Sequence, residues 1–261
     1  MLYIHIPFCV YKCAYCNFYS VVNMNSPDLY KKYLDALIKE FEIRIKDYKK
    51  NIETIYIGGG TPSIIGAKML EYFFEKLFEV INKNNNDEIK EITVEFNIND
   101  INKESLKVIS KIKNIRLSIG IQTFNEESLK IINRKTDKND IIEALKLINK
   151  SNIENISVDF ICGLPLNDKE QSKKDILQAF DLLPKIKHIS LYYLELNDSL
   201  KNKWRDFLPA EEDCVYYYNL AKETIESFGL MRYEISNYAF SNYESIHNSG
   251  YWNLKDYLGI G

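Results

Sequence analysis

Short apolar runs alternate along this chain with longer stretches whose apolar residues recur at helical spacing. Leu2–Ile6 reads as a strand. A helix follows over Asp28–Tyr48, with Leu29, Tyr33, Leu37, Phe41 and Ile45 on one stripe. Further strands are expected at Thr54–Ile57, Glu91–Phe96, Ile115–Ile119, Ile156–Ile161 and His188–Leu194. Helices are expected between them at Lys68–Ile81, Lys103–Ser110, Glu126–Ile132, Asn139–Asn149 and Asp168–Leu183, with another at Glu211–Phe228. Gly58-Gly59-Gly60 stops the second strand, and polar Asn82–Asp87 reads as a loop.

Strand–helix alternation implies an α/β fold with a parallel sheet. Six such units are too few for a closed eight-stranded barrel and suit a partial (β/α)6 TIM-like barrel, open on one side. No Gly-, Ser- and Pro-rich linker divides the chain. Sites in such sheets form at the C-terminal ends of the strands. A loop with Cys9, Cys13 and Cys16 follows the first strand, and the glycines follow the second. Glu95 ends the third, Gln122 follows the fourth, and Asp159 lies late in the fifth. The polar candidates therefore gather on one rim.

Composition narrows the classes. The 261 residues carry 34 Lys and Arg against 37 Asp and Glu, a net charge of -3, so charge gives no reason to propose nucleic acid as a partner. No apolar run reaches the roughly 18 residues of a membrane span. The N-terminus lacks the features of a signal peptide. The expectation is a cytoplasmic protein with no integral membrane segment. Of its 5 cysteines, Cys9, Cys13 and Cys16 crowd together, which argues for metal rather than disulfides. Cys162 and Cys214 have no near partner and read as small buried side chains.

The spacing Cys9-x-x-x-Cys13-x-x-Cys16 lets one loop bring three thiolates to three corners of an iron–sulfur cube. The fourth iron is then open to the amine and carboxylate of S-adenosylmethionine (SAM), and the hard chemistry belongs to the cofactor. The alternative is zinc, which wants a fourth ligand. His5 can be put forward, although it sits inside an apparent strand. Gly58-Gly59-Gly60-Thr61-Pro62 can bring backbone close to a ligand, or can simply be a strand-ending turn. Glu95, Gln122 and Asp159 are polar residues in apolar settings and need partners. A SAM molecule can supply them, and so can an internal ion pair such as Arg134 with Asp159.

The segments Tyr-Ile-His-Ile-Pro-Phe-Cys through Cys16, Gly-Gly-Gly-Thr-Pro, Ser118–Phe124 and Asp159-Phe160-Ile161-Cys162-Gly163-Leu164-Pro165 resemble, in this order, radical SAM proteins of the oxygen-independent coproporphyrinogen III oxidase family. The resemblance spans essentially the whole chain and makes zinc improbable. It implies the radical SAM version of the partial barrel. Cys9, Cys13 and Cys16 match the ligands of a [4Fe–4S] cluster. Tyr3, Gly59, Gly60, Thr61 and Glu95 match SAM contacts, and Gln122, Arg134 and Asp159 match further SAM-contacting positions.

Two branches of that family differ here. The oxidase branch carries a further cysteine two residues after the third, where this chain has Cys16-Asn17-Phe18, and an N-terminal extension before the first strand. The HemW-type heme chaperone branch resembles the chain in Tyr233–Ala239 and in His247-Asn248-Ser249-Gly250-Tyr251-Trp252. Imidazole can ligate heme iron and aromatics can pack on the macrocycle, so His247 is a heme-binding candidate. The other reading of His247 is a buried or capping histidine.

The expectation is a radical SAM core over residues 1–235 and the start of a shortened, heme-chaperone-type C-terminal region over 236–261. The expected function is a heme chaperone delivering heme to apo-hemoproteins. The alternative is a coproporphyrinogen III oxidase of porphyrin biosynthesis, so whether the chain is an enzyme stays open. The resemblance also implies an electron donor such as flavodoxin or ferredoxin.

Overall fold

The computed structural model describes residues 1–24, 26–48, 50–84 and 87–261. Six parallel strands form its frame: β1 (Leu2–Ile6), β2 (Thr54–Gly59), β3 (Glu91–Asn97), β4 (Ile115–Gln122), β5 (Asn155–Cys162) and β6 (His188–Tyr193). Three short strands extend it: β7 (Met231–Arg232), β8 (Asn237–Ala239) and β9 (Leu258–Ile260). The 9-stranded order is β9-β1-β2-β3-β4-β5-β6-β8-β7, and its two ends do not meet, so the barrel is partial and open.

The helices are α1 (Pro27–Arg44), α2 (Gly66–Asn84), α3 (Lys103–Ile109), α4 (Glu126–Ile131), α5 (Lys138–Asn149), α6 (Gln171–Leu182), α7 (Asp198–Trp204), α8 (Glu211–Ser227) and α9 (Ile246–Trp252). Local chemistry starts several of them. Ser26 caps α1, with Pro27 in its first turn. Asn102 with Ser105, and Asp137 with Asp140, form capping boxes on α3 and α5. Each such cap is worth about 1 kcal/mol.

The expected sequence of elements stands, with corrections. Gly58 and Gly59 belong to β2, and Gln122 to β4. Helix α2 runs on through Asn84, into the expected loop at Asn82–Asp87, of which residues 85 and 86 lie outside the described residues. The expected helix at Asp168 starts only at Gln171. Strands β7, β8 and β9 and helices α7 and α9 were not expected. They are too short for periodicity to show.

Each strand alternates in a way that sets the site. Ile4, Ile57, Val94, Ile119 and Val158 turn outward under the helices and are fully buried, each worth about 1.5–3 kcal/mol. The residues between them, including Tyr56, Glu95, Arg116, Ser118, Ser157, Asp159, His188 and Ser190, turn to the concave face. The inside of the open barrel is therefore polar. Residues from 236 onward reach both edges of the sheet: β8 pairs antiparallel with β6, and β9 pairs parallel with β1. Helix α9 lies between them, across the N-terminal ends of β2 and β3.

Candidate functional site at the C-terminal rim

The cysteine loop leaves β1 at Ile6 and is tied down by backbone. Gly60 N donates to Ile6 O (2.9 Å), Thr61 N to Phe8 O (2.8 Å) and Val21 N to Pro7 O (2.8 Å). On its far side Ala14 N donates to Ile132 O (2.9 Å), and the Asn133 amide donates to Lys12 O (2.7 Å). This closeness explains the glycines. A Cβ on Gly60 would lie 2.6 Å from Pro7 O, and one on Gly59, whose φ is +116°, would lie 2.6 Å from the His5 ring. Gly60 thus approaches the backbone at the start of the cysteine loop, and Gly59 the His5 ring on β1.

All three loop cysteines are free thiols. Cys9 Sγ lies 3.4 Å from Thr61 Oγ1, and Arg134 Nη1 donates to Cys13 Sγ at 3.9 Å. Burial pushes the Cys9 thiol up, so a cation at the sulfur is needed to hold it as thiolate. Three unpaired thiols on one loop, two with donors beside them, fit a cluster held at three corners. Among the described residues no three His, Cys, Asp or Glu side chains converge on a single ion. His5, weighed as a zinc ligand, spends Nδ1 on Tyr3 Oη and Nε2 on Tyr19 O, each at 3.1 Å. Outside the loop, Cys162 is buried as expected, whereas Cys214 is only partly so.

The remaining rim candidates assemble around this loop. Arg134 Nη2 donates to Gly120 O (2.7 Å) and Asn97 Oδ1 (3.0 Å), while its buried Nε has no partner. The ion pair weighed between Arg134 and Asp159 does not form. Burial raises the Asp159 carboxyl pKa, and the nearby Ser190 and Ser118 hydroxyls oppose the rise. Tyr56 Oη donates to Glu95 Oε1 at 2.6 Å. Burial pushes Glu95 up to about 7; the Tyr56 bond opposes the rise and the Asp159 charge adds to it. Gly58 makes room for this pair, since a Cβ there would lie 2.8 Å from the Tyr56 ring and 3.0 Å from the Glu95 carboxyl.

Gln122 sits at a bulge in β4 with φ 71°, a conformation costing a non-glycine residue about 1 kcal/mol. Its side chain folds over Gly120, where a Cβ would come within 2.6 Å of Gln122 Nε2. The segment after it is clamped by buried Asp175 on α6, which accepts from Thr123 Oγ1 (2.7 Å), Phe124 N (3.0 Å) and Gln171 Nε2 (2.8 Å). Tyr3 stacks beside Tyr56, ring centroids 6.1 Å apart, and lines the same concave face.

His247 is not part of this assembly. It is fully buried at the opposite rim. Its Nδ1 lies 2.8 Å from Thr54 Oγ1 and its Nε2 lies 3.0 Å from Tyr251 Oη, so neither nitrogen is free for iron. Burial, with the charges of the N-terminal ammonium and Arg116, pushes it down to about 4. The capping-or-buried reading of this histidine fits the geometry, and the heme-ligand reading does not. Beside it Glu91 accepts from Ser245 Oγ (3.1 Å), Ile246 N (2.9 Å), His247 N (3.0 Å) and Thr93 Oγ1 (3.3 Å), holding the start of α9.

Tyr56, Arg116 and His188 were missed on the concave face, and Asp175 as the clamp behind the site. For the first three the signal was present in the strict alternation of polar and apolar residues along β2, β4 and β6. Asp175 sits on a helix and gave none.

The partial barrel, the cysteine loop and the polar rim define a class. The chain belongs to the radical SAM superfamily, whose family pattern matches residues 3–176; membership implies a [4Fe–4S] cluster and SAM. The relatives narrow this to the heme chaperone HemW branch. The chain is 34% identical to heme chaperone HemW of Lactococcus lactis, over 99% of this chain and 67% of that protein. It is 38% identical to heme chaperone HemW of Buchnera aphidicola subsp. Schizaphis graminum, over 100% and 68%. Among solved structures it is similar to coproporphyrinogen III oxidase (HemN) from Escherichia coli, a radical SAM enzyme, with TM-score 0.80 and 21% identity, covering 100% of this chain and 62% of the oxidase. That likeness shows the shared fold. Among the described residues no helix is long and apolar enough to cross a membrane.

Proposed function

We propose that this chain is the cluster- and SAM-binding part of a heme chaperone, which binds heme and passes it to an apo-hemoprotein. The observation that carries this reading is the 34–38% identity to HemW chaperones along essentially the whole chain. Phe18 supports it. It stands where the oxidase branch has its further cysteine, and it is 72% exposed.

In this reading Cys9, Cys13 and Cys16 hold the cluster. A bound cluster supplies single electrons to the sulfonium of SAM. Thr61 and Arg134 donate to the cysteine sulfurs and steady their charge. Glu95, with Tyr56 fixing its direction, takes the SAM ammonium. Gln122 and Asp159 offer hydrogen bonds further along the rim, and Gly59 and Gly60 hold the loop against β2. The cytoplasm is the expected compartment, and a flavodoxin- or ferredoxin-type protein the expected electron donor.

The test is a heme titration of the anaerobically reconstituted protein followed by absorption, with a parallel coproporphyrinogen oxidation assay. Stoichiometric heme binding without oxidation is expected. Oxidation without stable heme binding overturns the reading in favour of the oxidase.

A further inference from the structure

The concave face carries, at Arg116, a buried guanidinium with no ion pair among the described residues. Arg116 is the second residue of β4, beside Thr93 on β3 and Asn155 on β5. Its neighbour Leu117 turns outward and is fully buried, so Arg116 turns inward, where only 3% of it stays accessible. Its Nε is buried without a partner. Among the described residues Arg116 joins no ion pair.

Of the polar groups around it, Asn155 keeps an unpartnered Oδ1, and the charged and imidazole groups are held elsewhere. Glu91 is taken by the start of α9. His188 holds Ser157 Oγ at 2.8 Å and Tyr233 Oη at 2.9 Å. Glu95 is held by Tyr56, and the Ser190 and Ser118 hydroxyls lie beside Asp159. The charge of Arg116 is nevertheless felt at Glu95, Asp159, His188 and His247. A buried guanidinium without a counter-charge is expensive. It becomes useful when a ligand brings the missing anion.

The chemistry selects the anion. A guanidinium fork matches a carboxylate through two parallel hydrogen bonds. A carboxylate brings a single negative charge, which one arginine balances. A phosphate brings nearly two, beside the carboxyls of Glu95 and Asp159.

We propose that Arg116 anchors a carboxylate-binding site deep in the open barrel, which takes a propionate arm of a tetrapyrrole entering from the C-terminal rim. The propionate identity rests on the heme-chaperone reading; the carboxylate site does not.

Two measurements separate these levels. In the first, free propionate is added against chloride at matched ionic strength and thermal unfolding is followed. Propionate raises Tm of the parent protein and leaves Arg116→Gln unmoved. No rise in the parent, or an equal rise in both, overturns the carboxylate site. Arg116→Met is the packing control. Removing an unpaired buried charge leaves its Tm at or above that of the parent, whereas a marked fall assigns Arg116 a structural role and overturns the site.

In the second, heme and heme dimethyl ester are titrated into the reconstituted protein. The ester binds the parent about tenfold more weakly, as expected for loss of a charge-assisted hydrogen bond, and Arg116→Gln binds both forms alike. Equal binding of heme and ester by the parent overturns the propionate arm, even where the carboxylate site survives the first measurement. A parent that binds no heme overturns the chaperone reading, and the first measurement then decides the site alone.

Discussion

The two ends of this sheet are built from the same strands and treat their polar groups in opposite ways. At the N-terminal end the residues that hold the chain's return are fully engaged, while Arg116, Asn155, Asn237 and Asn248 each keep one buried polar atom without a partner. Glu91 accepts four hydrogen bonds, and His247 and His188 each use both ring nitrogens. At the C-terminal end capacity is left over. Arg134 keeps a partnerless Nε, Glu95 sits near neutral pH in its titration, Gln122 holds a left-handed backbone, and three thiols are free. The lesson is that Glu91, His247 and His188, with their hydrogen bonds already made, mark structure, and that spare capacity gathered beside free thiols marks the site.

The contrast can be attacked first through the cysteines. Replacing Cys9, Cys13 or Cys16 by Ala abolishes the cluster, since each thiolate holds one iron. Iron content and visible absorption after anaerobic reconstitution read this directly, and a variant with full cluster content removes the ligand set.

The closed end is tested by stability. Glu91→Gln destabilises by about 3 kcal/mol, because backbone and hydroxyl donors at the start of α9 lose a charged acceptor. Denaturant unfolding measures this, while SAM affinity stays unchanged. His247→Ala costs about 2 kcal/mol through the orphaned Thr54 and Tyr251 hydroxyls and the space left behind. Heme affinity unaffected by that variant supports the structural role, and a shifted heme spectrum contradicts it.

The two ends also answer pH in opposite senses. His247 has its folded pKa lowered from 6.5 to about 4. Between those values the unfolded chain binds more protons, so stability falls as pH drops through the window. Glu95 is raised from 4.5 to about 7, so in that window the folded chain binds more protons and stability falls as pH rises. Unfolding free energy against pH therefore loses part of its acid slope in His247→Asn and part of its neutral slope in Glu95→Gln. SAM binding should tighten as pH rises through about 7, where Glu95 gains the charge that attracts an ammonium, and that tightening disappears in Glu95→Gln. The smallest effect is expected at Gly120→Ala, where the new Cβ meets the mobile end of Gln122 and, at 3.4 Å, Arg134 Nη2. Stability shifts by less than about 1 kcal/mol, and SAM affinity changes by a few-fold as Gln122 is pushed from its place.

The sequence alone determined the βα order, the open parallel architecture, the cysteine loop and the gathering of candidates on one rim. Strand and helix periodicity are local, and the rule that sites lie at strand C-termini turns local order into a position in space. The sequence also held the alternation that makes the barrel interior polar, legible in Glu91-Ile92-Thr93-Val94-Glu95 and in Arg116-Leu117-Ser118. What the tertiary structure decided is which polar groups are already paired. Arg134 lies beside Asp159 in expectation, but in space it turns to Gly120, Asn97 and Cys13. His247 beside two aromatics suits heme on paper, yet the return of the chain beneath the sheet buries it against Thr54. Both outcomes depend on contacts between residues distant in sequence, and only the packed chain fixes which donor reaches which acceptor.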